Sequence, residues 1–117
     1  MTLKKLIAKV DAIKPNSFSD NAKVQWVNEV EGKVQTDIFL RSPENTVQYT
    51  WAADKETELL VSAPYDKLYQ PYLSAMIDFA NGDYKSYQNN TEMFNKHLRE
   101  FARWYTDNCR PADEEHI

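Results

Sequence analysis

The sequence predicts a mostly α-helical chain: a four-helix arrangement with a long C-terminal αα-hairpin and an extended or β-hairpin arm between helices two and three. Three observations carry this. Only two glycines, Gly32 and Gly82, occur in 117 residues, too few for the many turns of an all-β protein. Apolar residues recur at steps of three and four through most of the chain, the period of a helix face. Pro64–Tyr105 holds ten of the fifteen aromatic residues and reads as two such faces joined at Asn81-Gly82.

The first helix is expected over Leu3–Ile13, where Leu3, Leu6, Ile7, Val10 and Ile13 form one apolar stripe. Pro15 ends it by disfavouring helical geometry at Lys14. Ser19 is suited to cap the second helix, whose core face is Val27, Val30, Val34 and Ile38. Gly32 inside that helix costs roughly 1 kcal/mol against alanine; close packing or simple tolerance would each explain it.

Residues 43–63 are the least helical. Val47, Tyr49 and Trp51 alternate with polar residues at a strand period, and Leu59, Leu60 and Val61 form a second apolar run. The segment is either a small β-hairpin or an irregular arm. It either pairs with another subunit or folds Trp51 and Leu60 back over the helices. A connection of this length in a compact helical domain usually has a job.

The third helix is expected from Pro64 or Tyr65, with a seam of Tyr65, Tyr69, Tyr72, Met76 and Phe79. Pro71 inside it should kink or restart it. Gly82 serves as the left-handed residue that ends it, and Asp83 caps the fourth helix, about Tyr84–Asn108. That helix is a rod of roughly 35 Å, with a seam of Tyr84, Tyr87, Thr91, Phe94, Leu98, Phe101 and Tyr105. Pro111 stops it, and an acidic tail follows over 111–117. The whole, 1–117, reads as a single domain.

The net charge is −4 with both signs interspersed. No Lys/Arg-rich block or basic helix face is evident, which argues against tight DNA binding. A DNA-reading helix-turn-helix in the first two helices is disfavoured, since Lys23 and Lys33 sit among Glu29, Glu31 and Asp37. One cysteine, Cys109, leaves no intrachain disulfide and fits a reducing compartment. No run approaches the ~20 apolar residues of a membrane span, so a cytoplasmic soluble protein without membrane partners is expected.

Candidate chemistry is thin. His97 and His116 are not spaced with Cys109 in a zinc pattern. Cys109 lies at a helix C-terminus, where the dipole disfavours thiolate. No glycine-rich phosphate loop is present. The expectation is no enzyme, no cofactor, no metal and no catalytic residue. Asp78 is the one notable acid. It lies near a helix C-terminus, where the dipole disfavours an anion. Its carboxylate is expected to accept from amides near Asp83–Lys85, or to pair with Lys85, and so to fix the hairpin. Pro71, Asp78, Gly82 and Asp83 are thus the hairpin-structuring residues. Tyr49, Trp51, Leu59 and Leu60 of the arm, with Trp104 off the main stripes, are the candidate interface residues.

The hairpin resembles the second half of small head–tail connector (adaptor) proteins of tailed bacteriophages and prophages of Gram-positive bacteria. The features are Pro64-Tyr65-Asp66 leading into Leu68-Tyr69, then Ile77-Asp78, Asn81-Gly82-Asp83, Tyr87-Gln88-Asn89 and Phe94-Asn95. The run from Leu6 to Gln35 resembles the opening helices of the same group. The resemblance implies a structural subunit of a homo-oligomeric ring, typically twelvefold, beneath the portal. Such a ring extends the DNA channel without sequence-specific binding and receives head-closure or tail proteins. It would assemble in the host cytoplasm and end in the virion neck. The best-known adaptors have a more compact connection than residues 43–63, so their portal contacts do not carry over. The alternative is an unrelated small helical protein–protein interaction module.

Overall fold

Five α-helices build the fold among the described residues, and the N-terminal one depends on a distant loop for its first turn. The computed structural model describes residues 1–109. Helix α1 spans Leu3–Ile13, with the Thr2 hydroxyl accepting from the Lys5 amide at 3.2 Å. The Leu3 and Lys4 amides donate to the carbonyls of Thr57 and Lys55, at 3.0 and 2.8 Å. A remote segment thereby satisfies donors that a helix start leaves free. Leu3, Leu6, Ile7 and Val10 are buried, whereas Ile13 is exposed.

Helix α2 spans Asp20–Lys33 and is capped as expected, the Ser19 hydroxyl accepting from the Ala22 amide at 3.1 Å. It runs on into a π-helical turn over Val34–Ile38. Val27, Val30, Val34 and Ile38 are all buried. A side chain at Gly32 would meet nothing within 4 Å, so this glycine is tolerated rather than required.

The arm contains no β-hairpin, and no strand occurs among the described residues. It holds a 3₁₀ turn at Pro43–Asn45 and a one-turn helix α3 at Trp51–Asp54. An isolated antiparallel bridge joins Thr2 to Glu58. The strand period around Val47 has a different partner. Gln35 on the π turn accepts from the Val47 amide (2.7 Å) and donates to its carbonyl (3.1 Å). Asn28 on α2 does the same for Tyr49, at 2.8 and 3.0 Å. Two amide side chains stand where a neighbouring strand would be, so the backbone is satisfied without a sheet.

A 3₁₀ turn over Tyr65–Leu68 leads into α4, Tyr69–Ala80. Pro71 is therefore the third residue of α4, where an amide has no partner within the helix. The chain restarts at Tyr69 and no hydrogen bond is lost to the proline. Gly82 takes φ +78°, and its amide and that of Asp83 donate to the Phe79 and Asp78 carbonyls, closing α4. Helix α5, Tyr84–Asn108, begins with the Asp83 carboxylate accepting from the Ser86 amide.

Helix α4 lies at the centre, packed on α5, α2 and α1. Of the expected aromatic seam Tyr69 is fully buried and Tyr72 and Met76 are half-buried, whereas Phe79 is exposed; Leu73 and Ile77, off that seam, are also fully buried. A central helix needs apolar groups on several sides, and a single-seam reading captures only one. On α5, Phe94 and Phe101 are buried as expected, while Tyr84 is exposed.

Candidate functional site

Glu31 is a fully buried carboxylate of the core with three hydrogen-bond donors. Its Oε1 accepts from the Tyr69 hydroxyl at 2.7 Å. Its Oε2 accepts from the Tyr49 hydroxyl at 2.8 Å and the Leu60 amide at 2.9 Å. The Tyr69 oxygen in turn accepts from the Val61 amide at 2.9 Å. One carboxylate thus ties α2 to α4 and to both halves of the arm. Burial raises the pKa of Glu31, and the donors from Leu60, Tyr69 and Tyr49 offset this only in part. Burial, followed by the charge of Glu31, pushes the Tyr49 and Tyr69 phenols above their ordinary range. Glu31 lines neither of the two surface hollows described below. Its perturbed acidity belongs to a structural lock.

The sequence held a signal for this group. Val24, Val27, Glu31, Val34 and Ile38 step three, four, three, four, which places Glu31 on the core seam. Reading it as a surface charge passed over that register. Lys23 was passed over in the same way: it is buried and donates to Asp11 at 2.7 Å.

Asp78 is buried at the hairpin, as an organising residue should be, but with other partners than expected. Its Oδ1 accepts from Lys14 Nζ at 2.6 Å, and its Oδ2 from Ser86 Oγ at 2.7 Å and Asn90 Nδ2 at 2.9 Å. The Asp83 amide goes to its backbone carbonyl instead, and Lys85 is exposed. The carboxylate joins the end of α1 to α4 and α5. Burial acts to raise its pKa, but the hydrogen bonds from Lys14, Ser86 and Asn90 together outweigh it and hold the group below the usual carboxylate range. Periodicity could not show that the end of α1 lands on this hairpin.

The candidate interface residues separate. Tyr49 and Leu59 are only 3% and 5% exposed; they belong to the core and offer nothing to a partner. Trp51 is half-buried on α3, with Lys55 Nζ 5.8 Å from its ring centre. Leu60 and Trp104 do meet. They line an apolar groove of about 370 Å³ together with Phe39, Pro64, Tyr65 and Tyr105. Trp104, 38% exposed, stacks on Phe101 and packs on Tyr65, with ring centres 6.1 and 5.4 Å away. Tyr65 and Phe39, which the sequence left as core or connection, complete the wall.

A more polar hollow of about 520 Å³ adjoins it, sharing Tyr65 and Trp104 and lined by Lys96, Arg99 and Arg103. These three step three and four along α5 and share a face, with Glu100 and Asp107 interleaved. Three cations and two carboxylates thus share this face, a mixed rather than a basic surface. At the opposite end of the hairpin lies a second aromatic cluster. Phe79 is 55% and Tyr84 62% exposed, and the Phe79 ring centre lies 5.6 Å from Tyr84 and 5.2 Å from Tyr87.

Among the described residues no group of three or more His, Cys, Asp or Glu side chains is placed to hold a metal ion, and no helix is long and apolar enough to cross a membrane. His97 faces Glu100 at 3.3 Å. Cys109 is exposed beside the apolar groove. His116 and the tail 111–117 lie outside the described residues. No family model, curated protein or solved structure matches the chain.

Proposed function

We propose that the chain is a structural subunit of a phage or prophage neck, a head–tail connector that forms a ring under the portal and extends the DNA channel. The resemblance of Pro64–Tyr105 to such adaptors supports this reading, and one structural observation carries it further. The hairpin bears two different exposed apolar surfaces, the Leu60/Tyr65/Trp104 groove at one end and the Phe79/Tyr84 cluster at the other. Twenty residues of α5 separate Tyr84 from Trp104, about 30 Å of helix. A subunit that meets its neighbours head to tail requires two unlike surfaces. In this proposal the partners are further copies of the chain, the portal, and head-closure or tail proteins. Packaged DNA passes without being read. Assembly takes place in the host cytoplasm, and the product resides in the virion neck.

The groove also suits the second reading, an unrelated helical interaction module that binds a peptide or helix against Trp104. Light scattering on the protein alone and mixed with a phage portal protein from the same genome separates the two. A connector forms a multi-copy assembly on the portal. A protein that neither forms a ring nor binds portal under any condition is not a connector.

A further inference from the structure

Residues 55–64 run from the first turn of α1 to the apolar groove without forming a helix or a named strand. At the α1 end the Leu3 and Lys4 amides donate to the Thr57 and Lys55 carbonyls, and the Leu59 amide donates to the Met1 carbonyl at 3.0 Å. In the middle the Leu60 amide donates to Glu31 Oε2 and the Val61 amide to the Tyr69 hydroxyl, both at 2.9 Å. At the groove end the Tyr65 amide closes a turn on the Ser62 carbonyl at 2.9 Å. Leu60, Ser62, Ala63 and Pro64 line the groove.

The hold on this stretch is slender. Within it only Leu59 and Val61 are buried, Leu60 is half-buried, and the rest is exposed. A segment with so few buried apolar groups belongs to the low-stability end of a fold and opens before the core does. Its two functions also sit on consecutive residues. Leu59 carries the bond to the α1 end, and Leu60 carries both the Glu31 bond and a side chain in the groove. One peptide unit joins them, so neither end lifts far without the other.

We propose that residues 55–64 open and close as one strap, so that the groove keeps this wall only while the strap is paired with the first turn of α1. The coupling runs in both directions, as any linkage must. A ligand seated against Leu60 and Pro64 tightens the start of α1, and loosening the start of α1 weakens the groove. The inference holds whichever partner the groove takes.

Native-state hydrogen exchange of the full chain, read by NMR, tests it. Leu3 and Lys4 occupy the first two positions of α1, where an amide has no partner within the helix, so protection there reports the strap. The expected result is one common opening equilibrium for the amides of Leu3, Lys4, Leu59, Leu60, Val61 and Tyr65. It should lie at lower free energy than that of core amides such as Ile77 and Leu98, which report global unfolding. Val61→Ala trims the buried surface near the groove end and should speed exchange at all six by about tenfold, Leu3 and Lys4 included. Tyr69→Phe, which removes the acceptor of the Val61 amide, should act in the same direction. Faster exchange at Leu60 and Val61 with Leu3, Lys4 or Tyr65 left at wild-type rates overturns the proposal. So do strap amides that exchange only with the core, and so do unequal openings at Leu3 and Leu60 in the wild type, which needs no variant to fold.

Discussion

Replacing Glu31 by alanine should destabilise the fold severely, although the change removes a buried charge. The Tyr49 and Tyr69 hydroxyls and the Leu60 amide all end on this carboxylate. Without it the two buried hydroxyls and the half-buried amide lack an acceptor, at roughly 1–3 kcal/mol each. The raised pKa of Glu31 means that burying the anion is itself unfavourable, so part of that loss is returned. The net expectation is a loss of about 3 kcal/mol, a large share of a typical domain stability of about 5–15 kcal/mol. Glu31→Gln keeps the volume and one acceptor oxygen and should cost only about 1 kcal/mol. The pH dependence has a definite sign. A folded-state pKa above the unfolded one adds stability that is fully present below the unfolded value and is lost as pH rises through the folded one. The wild type should therefore lose its advantage over Glu31→Gln as pH climbs above the ordinary glutamate range. Urea unfolding followed by circular dichroism across that range measures both effects. A Glu31→Ala variant within about 1 kcal/mol of wild type, or a gap to Glu31→Gln that widens with pH, would refute the lock.

Asp78→Asn should cost about 2 kcal/mol at neutral pH, since it removes the charge that holds Lys14. Because the Asp78 pKa is lowered, that difference should vanish as pH falls below the ordinary aspartate range, and equal stability at neutral pH would count against the role. Gly32→Ala should stabilise by about 0.5–1 kcal/mol, as its site is open and helical, while Gly82→Ala should destabilise by about 1 kcal/mol because of its positive φ; the two melting shifts should have opposite signs. Trp104→Ala removes the ring contacts to Tyr65 and Phe101 and should cost roughly 1–2 kcal/mol of stability while weakening partner binding by about 2 kcal/mol or more, measured by titration calorimetry with any ligand of the groove. Unchanged binding would remove Trp104 as an anchor.

The helices with a single buried face were the legible part. α1, the valine face of α2, the Gly82 turn and the Asp83 cap follow from spacing and local capping chemistry, which act within a few residues. The central helix α4 was harder, because it packs on α5, α2 and α1 at once, so buried residues such as Leu73 and Ile77 lie off the tyrosine seam. The arm was misread for a physical reason. Alternation at Val47 and Tyr49 records that one side is covered, and it does not say whether a strand or the amides of Asn28 and Gln35 cover it. Long-range polar partners, such as Lys14 with Asp78 or Glu31 with Tyr69, depend on how the helices cross. Of the groove, Leu60 and Trp104 stood out in the sequence, whereas Tyr65 and Phe39 join them only through the tertiary fold.

Electron microscopy of the protein mixed with a phage portal protein from the same genome tests the proposed connector role most directly. The connector reading predicts a closed ring of copies on the portal's axis, with Trp104 or the Phe79/Tyr84 cluster at a contact between subunits. Portal particles that carry no added ring at saturating protein, or copies bound singly without contact to one another, would contradict it.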